Sequence, residues 1–348
     1  MPLDLSTTLV IGISATALFD LHEADRMFSE KAALDPDTAI DEYRAYMLAR
    51  EDDLLSPGTG FPLIKALLRL NQHTLPGAPP IVEVVVMSRN SPETGIRVLQ
   101  TIRAMDLGIS RSAFTAGEPV TDYLEAFDVD LFLTTSVADA QRVIDSRTCA
   151  AAVLSPPPRN APEPPEEQVR IAFDGDAVLF DEESELVYKK HGLAAFHQAE
   201  DNLQHVPLPE GPYAAFLKKL AKMQERLPMR VEHSPVRIAI VTARNSPAEM
   251  RVIRTMREWG VYVDQAFFLG GVGKGKVLGA FKPHIFFDDQ EVHLRDAAGL
   301  VPSGRVPYLT GSLLASPAVL KEAEPLGAEP GSNAESERLG DDFGSPPE

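Results

Sequence analysis

The sequence predicts an α/β protein built on a parallel sheet with helices on both faces, organised as two related halves. Three observations carry that prediction. Runs such as IVEVVVM (81–87) and VRIAIVT (236–242) are apolar but for one charged residue near the start of each, the pattern of strands buried on both faces rather than one. They alternate with longer stretches of helical character, the order that builds a parallel sheet. Several blocks also recur in the same order along the chain, the mark of a long-period internal repeat.

The first strand is 8–13 in one half, overlapping VIGISATALF (10–19), and 170–174 in the other, overlapping IAFDGDAVLF (171–180). A polar–apolar region follows, in which GFPLIKALLRL (60–70) resembles GPYAAFLKKL (211–220). The apolar strands 81–87 and 236–242 come next and run into Ser91-Pro92 and Ser246-Pro247. Ser as N-cap and Pro at the first helical position predict a helix start there, and Glu249 completes a capping box with Ser246. That helix places Val252, Ile253 and Met256 on one face and stops at Gly260. The blocks around it, MSRNSPETGIRVLQTIR (87–103) and TARNSPAEMRVIRTMR (242–257), match with one extra residue in the first. Last come LEAFDVDLFLTT (124–135) and LGAFKPHIFFDD (278–289), the latter ending at Asp288-Asp289.

Between the halves, the Pro- and Glu-rich LSPPPRNAPEPPEEQ (154–168) reads as a linker. Residues 321–348 hold almost no large apolar side chain and read as a disordered acidic tail. The expected division is therefore 1–153, linker 154–168, 169–320 and tail.

Acids exceed bases by 51 to 33, a net charge of −18, which argues against a broad nucleic-acid or anionic-membrane surface. The single cysteine, Cys149, excludes an internal disulfide framework and fits a reducing compartment. No stretch approaches the roughly 20 apolar residues that span a bilayer. The N-terminus lacks a basic region before its apolar run and reads as a buried strand. A cytoplasmic protein is expected.

Ligands of open parallel sheets sit beyond the C-terminal strand ends. There the second half collects Asp174 and Asp176, Thr242, Lys274 in GGVGKGK, and Asp288 with Asp289. Four carboxylates at one mouth repel unless a cation joins them. Oxygen ligands favour a hard ion, and Mg2+ suits a site that also takes phosphate; the scattered histidines give no zinc pattern. The set suits phosphoryl transfer, with one Asp attacking phosphorus and a second moving protons while Lys, hydroxyl and backbone N–H groups neutralise phosphate oxygens. Taken singly the features are bland. A DGD triplet alone is more often a turn, Lys276 competes with Lys274, and Gly270, Gly275 and Lys276 fit a P-loop except that Val277 replaces its Ser/Thr.

The order DxD, Thr, Lys, acidic pair resembles the haloacid dehalogenase superfamily. LVIGISATALFDL, SRNSPETGIRV, AFDGDAVLFDEESE, PLPEGP, VTARNSPAE and IFFDDQ further resemble the cytosolic type I 5'-nucleotidase family, over roughly residues 5–310. The resemblance implies a Mg2+-dependent hydrolase of nucleoside 5'-monophosphates. Asp174 would be the nucleophile and Asp176 the acid/base. Thr242, with Ala243 and Arg244, would bind phosphate, and Lys274 would steady nucleophile and phosphate. Asp174, Asp176 (through its carbonyl), Asp288 and Asp289 would hold the metal. It implies a Rossmann-like sheet with a small helical cap at about 182–234, in which Phe180, Tyr188, Phe196 and Tyr213 either stack a base or belong to the core. The first half, with Ile13 and Ala15 near the DxD positions, Val120 opposite Lys274 and Thr134-Thr135 opposite the acidic pair, would be a degenerate copy. A nucleotide effector and a homo-oligomer fit the resemblance. A phosphatase for another small phosphomonoester such as a sugar phosphate, or a non-enzymatic interaction protein, are the rival readings.

Overall fold

The computed structural model describes residues 5–158, 161–228 and 234–315; the predicted tail, 321–348, lies outside them. Ten strands form one sheet among the described residues: β1 (Leu9–Ile13), β2 (Val82–Ser88), β3 (Arg111–Phe114), β4 (Leu131–Thr134), β5 (Ala150–Leu154), β6 (Val169–Phe173), β7 (Val236–Thr242), β8 (Gln265–Phe268), β9 (Ile285–Asp288) and β10 (Ser303–Arg305). Their order across the sheet is β3-β2-β1-β4-β5-β10-β9-β6-β7-β8. The first five and the last five thus repeat one arrangement. Within each set neighbours are parallel, and β5 meets β10 antiparallel through Leu154–Gly304 and Val153–Arg305. That reversal sends the C-terminal strand ends of the two halves to opposite edges of the molecule.

The α-helices among the described residues are α1 (Ala15–Leu18), α2 (His22–Ala32), α3 (Pro36–Ala49), α4 (Phe61–Arg69), α5 (Ile96–Ala104), α6 (Val137–Ser146), α7 (Glu183–Asn202), α8 (Ala214–Gln224), α9 (Glu249–Glu258), α10 (Gly275–Phe281) and α11 (Glu291–Ala297). The helices α4 and α8 hold the two halves together, because α4 of the first half packs on β6 and α8 of the second packs on β1. Each turns a stripe of apolar residues inward, Leu63, Ile64 and Leu67 on α4 and Phe216, Leu217 and Leu220 on α8, all buried. One hydrophobic core accordingly runs through strands of both halves. None of the described helices is long and apolar enough to cross a membrane.

Two local expectations are corrected. The helices after β2 and β7 start at Ile96 and Glu249, not at Ser-Pro. Ala248 N–H bonds the Asn245 carbonyl at 2.8 Å and Gly95 N–H that of Ser91 at 2.9 Å, so the Ser-Pro residues close a turn before each helix. In α9 the buried face holds Val252 and Met256 as expected, but Ile253 is exposed and Arg251 and Thr255 are buried instead. Gly260 does end that helix, with φ +67 and its N–H on the Arg257 carbonyl.

Strand ladders also shift one comparison between the halves. Ser14 N–H bonds the Leu133 carbonyl at 2.8 Å as Asp174 N–H bonds that of Phe287 at 2.8 Å. Ser14, not Ile13, therefore stands where Asp174 stands. The turn that follows is one residue shorter in the first half, which a gapless alignment anchored on Phe19 and Phe180 conceals.

His284 opens β9 as a backbone partner: its N–H bonds the Arg170 carbonyl and its Nδ1 accepts from Arg170 N–H at 3.1 Å. Burial pushes the imidazole down to about 4. A His whose folded value lies below its unfolded one contributes stability that is complete above about 6.5 and lost as pH falls toward 4. Fully expressed, that is about 3 kcal/mol. Denaturant melts at pH 7 and pH 4.5 should show this slope in the parent protein and a shallower one in His284→Asn.

Candidate active site

The mouth of the second half is assembled from three strand ends and one helix start. β6 delivers Asp174, whose Oδ1 accepts from Gly175 N–H at 2.7 Å. The chain then turns sharply through Ala177, at φ +57, and returns with Phe180 N–H on the Gly175 carbonyl. β7 delivers Thr242, whose hydroxyl oxygen accepts from Arg244 N–H at 3.3 Å. A Cβ on Gly175 would lie 3.3 Å from that oxygen, so the two loops touch beside Asp174. β9 ends in Asp288, and Lys274 stands immediately before α10.

Lys274 Nζ lies 2.9 Å from Asp174 Oδ1 and 2.7 Å from Asp288 Oδ2, with 2% of the residue exposed. Burial works against its charge, but the two carboxylates outweigh burial and hold the ammonium above its ordinary range. Gly275 fixes this lysine: its N–H donates to Asp296 at 2.8 Å, and a Cβ there would sit 3.0 Å from the Asp296 carbonyl oxygen. Lys276, the competing lysine, is exposed.

The acids differ in state. Burial pushes Asp174 up to about 6, with Lys274 opposing and Asp288 reinforcing the rise. Asp288 is also buried, yet Lys274 and His293 overcome the burial and hold it below the usual range; His293 Nδ1 lies 3.2 Å from its Oδ2. Burial and the charges of Asp288 and Asp174 push Asp289 well above that range. Its Oδ2 accepts from the Tyr308 hydroxyl, while its Oδ1 is buried without a partner.

One ligand atom from each of Asp174, Asp288 and His293 lies within 4.8 Å of the others. Two buried carboxylates bridged by one lysine, with a histidine nitrogen beside them and an unpartnered carboxylate oxygen on the neighbouring Asp289, form a donor set that fits a divalent cation. Asp289 is adjacent to this cluster but outside it, and the Asp176 carboxylate is held by Arg244 and not by Lys274. Arg244 clamps Asp176 through Nε (2.8 Å) and one terminal nitrogen (2.6 Å), and its other terminal nitrogen reaches Glu200 at 2.6 Å. Arg244 thus stands beside the site with all three nitrogens on carboxylates. Ala243 is half-buried next to Thr242.

Sequence reasoning overlooked His293, Tyr308, Glu200 and Arg251. His293 alone left a signal, five residues past Asp288 in the helix that begins just after the acidic pair. Of the aromatic candidates, Phe180, Phe196 and Tyr213 are core residues and Tyr188 is half-buried.

The PLPEGP segment braces the turn after Asp176. Gly211 N–H bonds the Leu179 carbonyl and Tyr213 N–H that of Val178, and a Cβ on Gly211 would fall 2.2 Å from the Phe180 carbonyl oxygen. Gly211→Ala is expected to cost about 1–3 kcal/mol and to lower turnover by displacing Asp176. Thermal melts beside steady-state assays would check both effects.

In the first half, hydroxyls stand where these carboxylates are. Thr16 and Thr135 Oγ1 are 2.6 Å apart and Ser14 Oγ is 3.1 Å from Thr16 Oγ1. That neutral chain satisfies itself and calls for no cation.

No solved structure matches this chain. Human "Cytosolic 5'-nucleotidase 1B" is 32% identical over 298 residues, covering 84% of this chain and 47% of that protein, so the chain spans about half the length of that curated relative. The model of the 5'-nucleotidase family matches residues 1–312, which takes in every strand and every acidic residue of the mouth just described. On that match, the chain belongs to the 5'-nucleotidase family.

Proposed function

We propose that this protein hydrolyses nucleoside 5'-monophosphates to nucleoside and phosphate, with Mg2+ as its cation. The observation that carries the proposal is the buried Lys274 held between Asp174 and Asp288 at the strand ends, in a chain of the 5'-nucleotidase family. A Mg2+ ion on Asp174 and Asp288, with His293 or Asp289 beside it, would supply positive charge against the phosphate oxygens.

The chain's own groups supply the rest. A carboxylate oxygen of Asp174 attacks phosphorus, and the bond from phosphorus to the 5'-oxygen breaks. Asp176 gives its proton to that leaving oxygen, and the nucleoside departs from an aspartyl-phosphate. Water then attacks the same phosphorus and loses a proton to Asp176. The bond to Asp174 breaks and phosphate is released. The Thr242 hydroxyl, beside Asp174, would donate to an oxygen of the transferring group, and Lys274 keeps Asp174 oriented.

The matching strand registers support reading 1–153 as a degenerate copy of 169–320 that serves as packing partner, with 154–168 between them and 182–234 as cap. The relative's cytosolic description supports a cytoplasmic location. Phosphate release from a panel of nucleoside 5'-monophosphates and sugar phosphates, with Mg2+ and with excess chelator, tests the reading. Nucleotides should be preferred and chelator should abolish release. Preference for sugar phosphates would replace the substrate assignment, and full activity in chelator would remove the metal.

A further inference from the structure

The cap helix α7 is two helices joined at Gly192, whose φ of +78 suits glycine alone. The two arms fold back on each other. Ser184 on the first donates to Glu200 Oε1 on the second at 2.8 Å, and the Tyr188 and Phe196 rings meet edge to face. Glu200 is 1% exposed, yet both of its carboxylate oxygens are partnered. Arg251 of α9 donates to the same Oε1 at 3.0 Å, and Arg244 donates to Oε2 at 2.6 Å.

A buried carboxylate that receives two guanidiniums and a hydroxyl costs more desolvation than an apolar side chain would. Structural packing of a cap does not require it. What the charge does hold is Arg244, which reaches Asp176 with its other two nitrogens while lying over the faces of Phe180 and Phe196. The aromatic faces restrict the guanidinium plane, and Glu200 fixes its far end. The fork on Asp176 therefore has one orientation, and each Asp176 oxygen keeps a second lone pair for a proton partner.

We propose that Glu200 is a positioning residue, which locks Arg244 between the cap hairpin and Asp176 and so aims Asp176 at the leaving oxygen. This rests on the nucleotidase reading above. Only the proton delivered to the leaving group should suffer when Glu200 is changed. A nucleoside 5'-phosphate needs that proton. Its analogue with sulfur in the bridging 5'-position leaves as a thiolate and does not.

The test measures kcat/KM, which covers steps through phosphoryl transfer to the enzyme, for both esters in the parent, Glu200→Gln and Ser184→Ala. For Glu200→Gln the oxygen ester should fall about 10- to 100-fold, a part of the hundredfold or more that general acid catalysis supplies, and the sulfur ester by less than about threefold. Ser184→Ala removes one anchor of Glu200 and should show the same selectivity at about two- to fivefold, which keeps the test decisive if the first variant does not fold. Equal losses on both esters would mark Glu200 as merely structural, and no loss on either would remove it from the mechanism. Failure of the parent to cleave either ester would instead count against the nucleotidase reading itself.

Discussion

Asp174→Asn is expected to lower phosphate release from nucleoside 5'-monophosphates about a thousandfold or more while leaving the fold intact. Loss of a nucleophile removes the covalent route entirely, and what survives is catalysis by positioning and electrostatics alone. The substitution is close to isosteric. Burial already pushes the Asp174 carboxyl up to about 6, so a neutral amide at this position spares a desolvation cost. Lys274 also retains Asp288 as a partner at 2.7 Å. Stability should therefore change by no more than about 1 kcal/mol. Acid-quenched mass spectrometry should find a phosphorylated parent enzyme and an unmodified variant. Unchanged phosphate release from the variant would exclude Asp174 as the attacking group.

Lys274→Met is expected to be the most damaging single change to the site's stability. The lysine is 2% exposed, and its removal leaves Asp174 and Asp288 facing each other out of water. Breaking a buried ion pair by deleting one partner costs about 3–5 kcal/mol. Because the orphans are carboxylates, the loss should be largest near neutral pH and shrink as acid protonates them. Mg2+ should restore part of the lost stability, and more than it adds to the parent, since it supplies the charge the lysine gave. Denaturant titrations at pH 5 and 7.5, with and without Mg2+, would show this. A variant as stable as the parent at both pH values would mean the lysine does not balance these acids.

Much of this site is legible in sequence because each acid sits at the end of an apolar run. A nearly all-apolar run such as VRIAIVT announces a strand, and the residue where it stops announces the mouth. Lys274 needed more. Its glycine-rich surroundings did not separate it from Lys276, so the choice rested on the family resemblance, whereas burial between two carboxylates distinguishes the two directly. Glu200, Arg251 and Tyr308 were illegible for another reason. They meet the site through tertiary folding alone, and a carboxylate in a helix rich in Glu and Lys looks like solvated surface. The helix starts after β2 and β7 were misplaced because Ser-Pro suits a turn as well as an N-cap, and only the hydrogen bond made by the following residue decides between them. The relation of Ser14 to Asp174 was off by one because residue matching carries no information about strand ladders.

The antiparallel junction of β5 with β10 also has a consequence for synthesis. The first five strands are complete once residue 154 has been made, and they can pair among themselves. Their inner edge, β5, is then a row of open backbone donors and acceptors that only β10, the last described strand, will cover. Some 150 residues must emerge before that happens, during which the nascent half offers an apolar strand of Ala150–Leu154 to any other chain. At the usual pace of translation, about 5–20 residues per second, that exposure lasts on the order of ten seconds. Aggregation during expression should therefore be governed by this internal seam, more than by the short four-residue strands β3 and β8 at the outer edges.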